Sequence, residues 1–226
     1  MEPNDIIREN KSVYNTIATA FSSTRQYLWN DLKPLARFLP QEGTLLDIGC
    51  GNGRLYQMVR NSQVKYIGID QSEELIAIAK KQFKDGRFIV QEMSRMSLPA
   101  ATADVIFSIA AFHHLPSKAL RLQGLREMKR LLKPGGRIVM LNWNLYSDYA
   151  RDKGWAVDEH GGFWVPWKTA TGDIVGSRYY HGFLLEELHD LADEGGFVIE
   201  EQYYTKDGEV SSMGPGDNIL SVLKPR

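Results

Sequence analysis

LLDIGCGNGR, residues 45–54, sets an apolar run and one acid ahead of three glycines at every second position. Such a run reads as a buried strand, and a glycine turn after it lets backbone approach a ligand with no Cβ in the way. A helix beginning near Arg54 would then present free N–H groups to that ligand. The dinucleotide fingerprint is G-x-G-x-x-G. Here Gly49, Gly51 and Gly53 bring the third glycine one place early, and Asp47 stands two residues ahead of the first. Taken alone, the turn fits a plain tight bend as well as a nucleotide site. Asp70 adds a second feature. It closes the next apolar run, KYIGID, twenty-one residues after Gly49, where an acid can accept both hydroxyls of an adenosine ribose. The same acid also suits a helix start through Gln71-Ser72-Glu73, a reading compatible with ribose binding.

The rest of the chain supports this frame. Its 226 residues fit one domain with a sizeable core. With 27 basic and 28 acidic side chains the net charge is -1, so no overall positive field draws the chain to phosphate or anionic lipid. A single cysteine, Cys50, excludes an intrachain disulfide framework and fits a reducing compartment. The first thirty residues are too polar for a signal peptide, and no run of 18 apolar residues occurs. A cytoplasmic protein with no membrane association is expected.

Short apolar runs (TLLDIG, KYIGID, RFIV, DVIFSIA, GRIVMLNW) alternate with stretches of helical spacing, the pattern of a parallel sheet covered by helices on both faces. Ser72 and Ser117 are placed to cap helices, the second of which Lys133-Pro134-Gly135-Gly136 would stop. A last helix over 184–194 would bury Leu184, Leu188 and Leu191, and FVIEEQYY and NILSVLK would pair antiparallel across a loop. Residues 1–42 read as a mainly helical cap punctuated by Pro34 and Pro40, 43–143 as the cofactor-binding core, and 184–226 as the C-terminal helix and strands. Residues 145–183 carry nine aromatics (Tyr146, Tyr149, Trp155, Phe163, Trp164, Trp167, Tyr179, Tyr180, Phe183) without clean periodicity. A long insertion after a strand of an open parallel sheet commonly builds the wall of a site.

LLDIGCGNG, YIGID, DVIFSIAAFHHL and LLKPGGRIVM, as an ordered set over residues 43–143, resemble the class I methyltransferases that use S-adenosylmethionine. The resemblance implies a Rossmann-like α/β fold, a seven-stranded, mostly parallel sheet with the last strand antiparallel and helices on both faces. It places Gly49, Gly51 and Gly53 beside the methionine part of the cofactor and Asp70 on the ribose, with Asp47 and Gln71 adjoining them. Glu92 falls near the adenine amino group, Met93 against the ring, and Ala110 and Phe112 at the floor of the site.

Three further stretches resemble one subfamily, the methyltransferases that esterify the carboxymethyl group on wobble uridine of tRNA. These are VYNTIATAFSSTR with Trp29, AAFHHLPSKALRLQGLREMKRLLKPGG, and GFWVPWK followed by SRYYHGFLLEEL. The resemblance implies tRNA as a partner and admits a small zinc-binding activator protein. A carboxylate acceptor is already ionised near pH 7, so it needs no general base. It needs positioning and positive charge, which bidentate arginine supplies. Arg25, which also joins the cofactor set, and Arg178 are the candidates, each otherwise a surface arginine. Tyr14 covers the methionine end of the cofactor or packs with Ile17 and Phe21. His113 and His181 line the acceptor pocket in the functional reading; in the other, one histidine of the His113-His114 pair sits in a core hydrogen bond. No spacing of Cys, His or Asp supplies a metal site. Trp164 and Trp167 stack on a base or ribose, or plug the insertion onto the sheet. Gly216-Asp217-Asn218 departs from the subfamily's Gly-Arg-Asn, replacing a positive charge by a negative one. A methyltransferase for a small metabolite and a non-turnover cofactor-binding regulator remain as alternatives.

Overall fold

The structure, a computed structural model, describes residues 1–226. The run that ends in the glycine turn forms β1 (Glu42–Ile48), which pairs in parallel with β2 (Gln63–Asp70) on one side and β4 (Ala103–Ile109) on the other. Alternate side chains enter two separate cores: Leu46 and Ile48 one, Leu45 the other. That is why the run is apolar at nearly every position. β3 (Arg87–Val90) extends the sheet beyond β2, and β5 (Leu132–Trp143) lies beside β4. β10 (Asn218–Pro225) runs antiparallel between β5 and β8 (Phe197–Lys206), as the two C-terminal runs led us to expect.

The sheet has eight strands, in the order β3-β2-β1-β4-β5-β10-β8-β9, one more than the seven expected. The extra one is the three-residue β9 (Glu209–Ser211). It folds back on β8 through Asp207 and Gly208, whose φ angles of 53° and 89° are those of a primed hairpin turn. The Asp-Gly signal is in the sequence, but so short a strand has no periodicity to announce it.

α1 (Pro3–Ser23) leads the chain, followed by a 3-10 segment, Asn30–Phe38, that contains Pro34. α2 (Glu73–Gln82) and α3 (Lys118–Leu131) begin where Ser72 and Ser117 accept the N–H of Leu75 at 3.1 Å and of Leu120 at 3.3 Å. α3 ends at Leu131, and the Lys-Pro-Gly-Gly stretch already lies within β5 instead of forming a separate stop. A further correction concerns Leu184. It precedes the C-terminal helix and is 44% exposed, while Leu188 and Leu191 are buried.

Residues 145–183 hold a short helix, α4 (Asp148–Asp152), and an antiparallel hairpin of β6 (Gly162–Lys168) and β7 (Ile174–His181). The C-terminal helix, α5, spans Leu185–Glu194. Within β6, Phe163 and Val165 are buried and Trp164 faces out, an alternation that the flanking glycines and Pro166 interrupt. α1 completes the free edge of β7. The buried Asn10 donates to the Tyr179 carbonyl at 3.0 Å and accepts the Tyr179 N–H at 2.7 Å, as a neighbouring strand would. No helix is long and apolar enough to cross a membrane.

Candidate cofactor and acceptor site

The residues that end β1, β2, β4 and β5 (Ile48, Asp70, Ile109 and Trp143) all line one cavity of about 740 Å³. This is the crevice at the carboxyl ends of an open α/β sheet, where such folds bind ligands. The glycine turn is pinned to β2, because Gly49 and Cys50 both donate to the Ile69 carbonyl, at 2.7 and 2.9 Å. Gly51 (φ 54°) donates its N–H to one Asp70 carboxylate oxygen at 2.9 Å, and Ser72 N–H donates to the other at 2.9 Å. Burial raises the Asp70 pKa, with the bonds from Ser72, Gly51 and Gln71 opposing the rise.

Asp47, Gly49, Gly51, Asp70, Gln71, Glu92, Met93 and Ala110 line the cavity. Asp47 is buried and accepts the Tyr66 hydroxyl at 2.6 Å. Burial pushes its carboxyl up to about 7, against the pull of that hydrogen bond. The Glu92 carboxylate takes the Ser94 hydroxyl. Ala110 sits at φ 52°, a left-handed strain of the kind found where a surrounding structure holds a site.

Two expectations on this side fail. Gly53 does not line the cavity; a Cβ there would lie 2.7 Å from the Phe88 ring, so it serves close packing inside the sheet layer. Phe112 stacks on Phe183 behind the wall and is 1% exposed. The helix expected from Arg54 is also absent. A five-residue 3-10 segment, Arg54–Met58, takes its place, and Arg54 itself faces the cavity.

Arg25, Arg54 and Arg178 line this cavity, and none forms an ion pair. Arg178 is 4% exposed, and its Nε and one Nη are buried without a hydrogen-bond partner. Its guanidinium carbon lies 5.2 Å from the Trp167 ring centroid, 5.5 Å from that of Tyr180 and 5.8 Å from that of Tyr14. Arg25 sits 4.1 Å from the Phe21 centroid and 5.5 Å from that of Trp167, and Arg54 sits 3.9 Å from that of Trp29. Burial lowers the pKa of Arg25, and lowers that of Arg54 to about 9. Aromatic faces offset only part of the cost of drying a cation, so this end of the cavity favours an anion.

Tyr14 belongs to the cavity wall. Its hydroxyl lies 3.0 Å from His114 Nε2 and 3.3 Å from the Tyr180 hydroxyl. His114 Nδ1, 2.8 Å from the Tyr179 carbonyl, must donate there, which leaves Nε2 to accept from Tyr14. Burial pushes the His114 pKa down to about 4, so the ring is neutral near pH 7. His114, not His113, therefore faces the cavity. His113 is fully buried, accepts the Trp143 N–H at 3.2 Å, and is held well below the usual histidine range by burial. His181 also stands behind the wall, 2.7 Å from Glu187. Of the two tryptophans left open, Trp167 packs between arginines and Phe21, while Trp164 stays 37% exposed, edge-on to Tyr179.

The mouth carries an acidic corner. Asp31 accepts the Gly208 N–H at 2.5 Å and the Asn218 amide at 2.6 Å. Asp207 and Asp217 also line the cavity. Burial raises the Asp217 pKa; Lys206 opposes this, and Asp31 and Asp207 add to it. Asn144 ties the end of β5 to this corner by donating to the carbonyls of Met213 at 2.6 Å and Gly216 at 2.7 Å. No group of three or more Cys, His, Asp or Glu side chains is placed to hold a metal.

Residues 46–140 match a family model described as a methyltransferase domain. A tRNA (carboxymethyluridine(34)-5-O)-methyltransferase of Schizosaccharomyces pombe is 32% identical over 213 residues, which cover 86% of this chain and 91% of that one. A protein of the same description from Mus musculus is 34% identical over 142 residues, 62% of this chain but only 21% of its own length. Among solved structures, the complex between the Haloferax volcanii Trm112 methyltransferase activator and a methyltransferase superposes with a TM-score of 0.71 at 18% identity, covering 96% of this chain and 98% of that one. The chain belongs to the class I S-adenosylmethionine-dependent methyltransferases, in the family of the tRNA (carboxymethyluridine(34)-5-O)-methyltransferases.

Proposed function

We propose that this enzyme esterifies the carboxymethyl group of a modified wobble uridine in tRNA. The observation that carries the reading is the set of three buried or half-buried arginines, Arg25, Arg54 and Arg178, that line the cavity of the glycine turn without forming an ion pair. The name carried by the Schizosaccharomyces pombe relative supports the same acceptor.

The residues present fit the cofactor. Each Asp70 oxygen accepts one backbone N–H and keeps lone pairs for a ribose hydroxyl. At Gly51 only the Phe21 ring lies within 4 Å of where a Cβ would stand, so backbone is open to the methionine portion. Gln71, Glu92 and Met93 continue the cleft toward the adenine, with Tyr14, Asp47, Gly49 and Ala110 around the sulfonium end. Bound there, S-adenosylmethionine supplies an electrophilic methyl group. Arg178 and Arg25 hold the acceptor carboxylate and lower the cost of bringing it into a partly dry pocket. An ionised carboxylate needs no base, and the neutral His114 holds Tyr14 without competing for a proton. Residues 1–42 and 145–183 serve as cap and substrate-side wall around the 43–143 core.

Overall charge gives the chain no strong hold on RNA, and the Asp31–Asp207–Asp217 corner repels phosphate. These features favour an activator partner of the kind seen with the Haloferax volcanii neighbour, and a cytoplasmic setting where tRNA is met. They also keep a small carboxylate metabolite as the second reading. The test incubates the protein with labelled cofactor and bulk tRNA from a strain lacking this gene, with and without the activator, followed by nucleoside analysis. Label in a carboxymethyluridine-derived nucleoside is expected. Label in no nucleoside under either condition overturns the tRNA reading in favour of the metabolite.

A further inference from the structure

Three aromatic rings descend into the cavity as a near-parallel ladder. Tyr180 stacks on Trp143 with centroids 4.9 Å apart and planes within 10°. Trp143 in turn lies 6.2 Å from Trp155, with planes within 8°. Tyr149 closes the outer end, edge-on to Trp155 at 5.8 Å, and is 54% exposed. The inner end is anchored at the anion-seeking side, where the Tyr180 ring lies 5.5 Å from the Arg178 guanidinium. The outer end is carried by the segment around α4, whose N-cap Ser147 also lines the cavity. Just beyond α4, Lys153 forms no ion pair, and its ammonium lies 5.3 Å from the Tyr149 ring.

Packing accounts for Tyr180, which is 1% exposed, and for the inner face of Trp143. It does not account for Tyr149, more than half exposed among the residues that line the cavity and beside an unpaired lysine. Flat rings running from buried to exposed, with a cation at the outer end and a guanidinium at the inner end, suit a ligand that is both aromatic and anionic. The carboxymethyluridine of an RNA strand, a planar heterocycle with a carboxylate and a flanking phosphate, is such a ligand. Stacking supplies affinity for any base, because every base has a π-face. The arginines alone would select only an anion.

We propose that Trp155 and Tyr149, backed by Trp143, form the platform on which the pyrimidine ring of a single-stranded RNA acceptor stacks, with Lys153 meeting its phosphate. Trp155 is then a specificity-determining residue, distinguishing a flat ring from an aliphatic or puckered carboxylate. This rests on the acceptor reading above.

The test uses the full chain saturated with S-adenosylhomocysteine and titrated calorimetrically with two ligands. One is 5-carboxymethyluridine; the other is its 5,6-dihydro derivative, which keeps carboxylate and ribose but has a puckered ring. The wild type should prefer the flat nucleoside. Trp155→Leu should weaken that ligand by roughly 5- to 150-fold, the range for one base–aromatic stack, and leave the puckered one unchanged. Trp155→Phe should restore most of the difference. A merely structural role would weaken both ligands alike, and that result, or no preference in the wild type, overturns the proposal. If the wild type labels carboxymethyluridine in tRNA while Trp155→Leu binds both nucleosides as the wild type does, the platform falls and the acceptor reading stands. If the wild type neither binds the flat nucleoside nor labels tRNA, both fall.

Discussion

Arg25 and Arg178, more than 150 residues apart in sequence, meet at one indole: their guanidinium carbons lie 5.5 and 5.2 Å from the Trp167 ring centroid. Neither has an acidic partner, and the Arg178 charge adds to the burial that lowers the Arg25 pKa, an effect that a bound anion would relieve. A hydrogen bond to a charged group contributes about 1.5–3 kcal/mol. Arg178→Ala should therefore cut kcat/KM for the carboxylate acceptor by roughly 10- to 150-fold. Its affinity for S-adenosylhomocysteine should stay unchanged. Steady-state kinetics and calorimetry on the same preparation check the split, and a parallel loss of cofactor binding would move Arg178 to the cofactor side.

Asp70 joins two backbone donors, Gly51 and Ser72, to the cofactor cleft. Asp70→Ala should weaken S-adenosylhomocysteine binding by about 1.5–3 kcal/mol. Isothermal titration measures this directly, and an unchanged dissociation constant removes Asp70 from the ribose site.

The buried Asp47 gives the protein a definite pH signature. In the unfolded chain an aspartate ionises near 3.8, whereas in the fold it keeps its proton up to about 7. Between those values the folded state binds more protons, so this group lowers stability as pH rises from about 4 to about 7, and no further above that. Asp47→Asn should be increasingly more stable than the wild type across that window, by at most ~4 kcal/mol at its upper end. His114 acts in the opposite direction: its folded pKa of about 4 lies below the ordinary 6.5, so stability falls as pH drops from 6.5 to 4. The Asn variant should unmask this acid-side loss. Urea midpoints between pH 4 and pH 8 resolve both slopes.

Asn10 holds β7 to α1 by two hydrogen bonds to the Tyr179 backbone. Asn10→Ala leaves the buried Tyr179 N–H without its partner, while the carbonyl keeps His114 Nδ1, at a cost of roughly 1–3 kcal/mol. Because Tyr179 lies between Arg178 and Tyr180, the same variant should raise KM for the acceptor. Chemical denaturation and kinetics check the two effects separately.

What the sequence disclosed was what depends on nearby residues. Ser72 and Ser117 cap helices through their own following N–H groups, and Asp70 reaches Gly51 because β1 and β2 are adjacent parallel strands. The positions that misled depend on contacts far along the chain. His113 and His114 are neighbours in a 3-10 turn, and their rings stand at 90° to each other. Which one reaches the cavity is decided by α1 and β7, through Tyr14 and the Tyr179 carbonyl. His181 was drawn away by Glu187 on α5. Arg54 went unnoticed as a lining residue although it directly follows the glycine turn, because a helix start was expected there. Trp143, Tyr149 and Trp155 recur every six residues, a spacing that reaches across a strand end, a short helix and a loop and so announces no shared face; the fold alone aligns their rings.

The central claim is chemical: methyl transfer to a carboxylate held by unpaired arginines. Its most direct measurement follows label from S-adenosylmethionine into tRNA bearing 5-carboxymethyluridine, then exposes the product to mild alkali. An ester predicts complete release of the label as volatile methanol, together with labelling slowed roughly 10- to 150-fold in Arg178→Ala. Label that enters the tRNA but survives alkali, as a methyl on nitrogen, carbon or ribose oxygen would, contradicts the account.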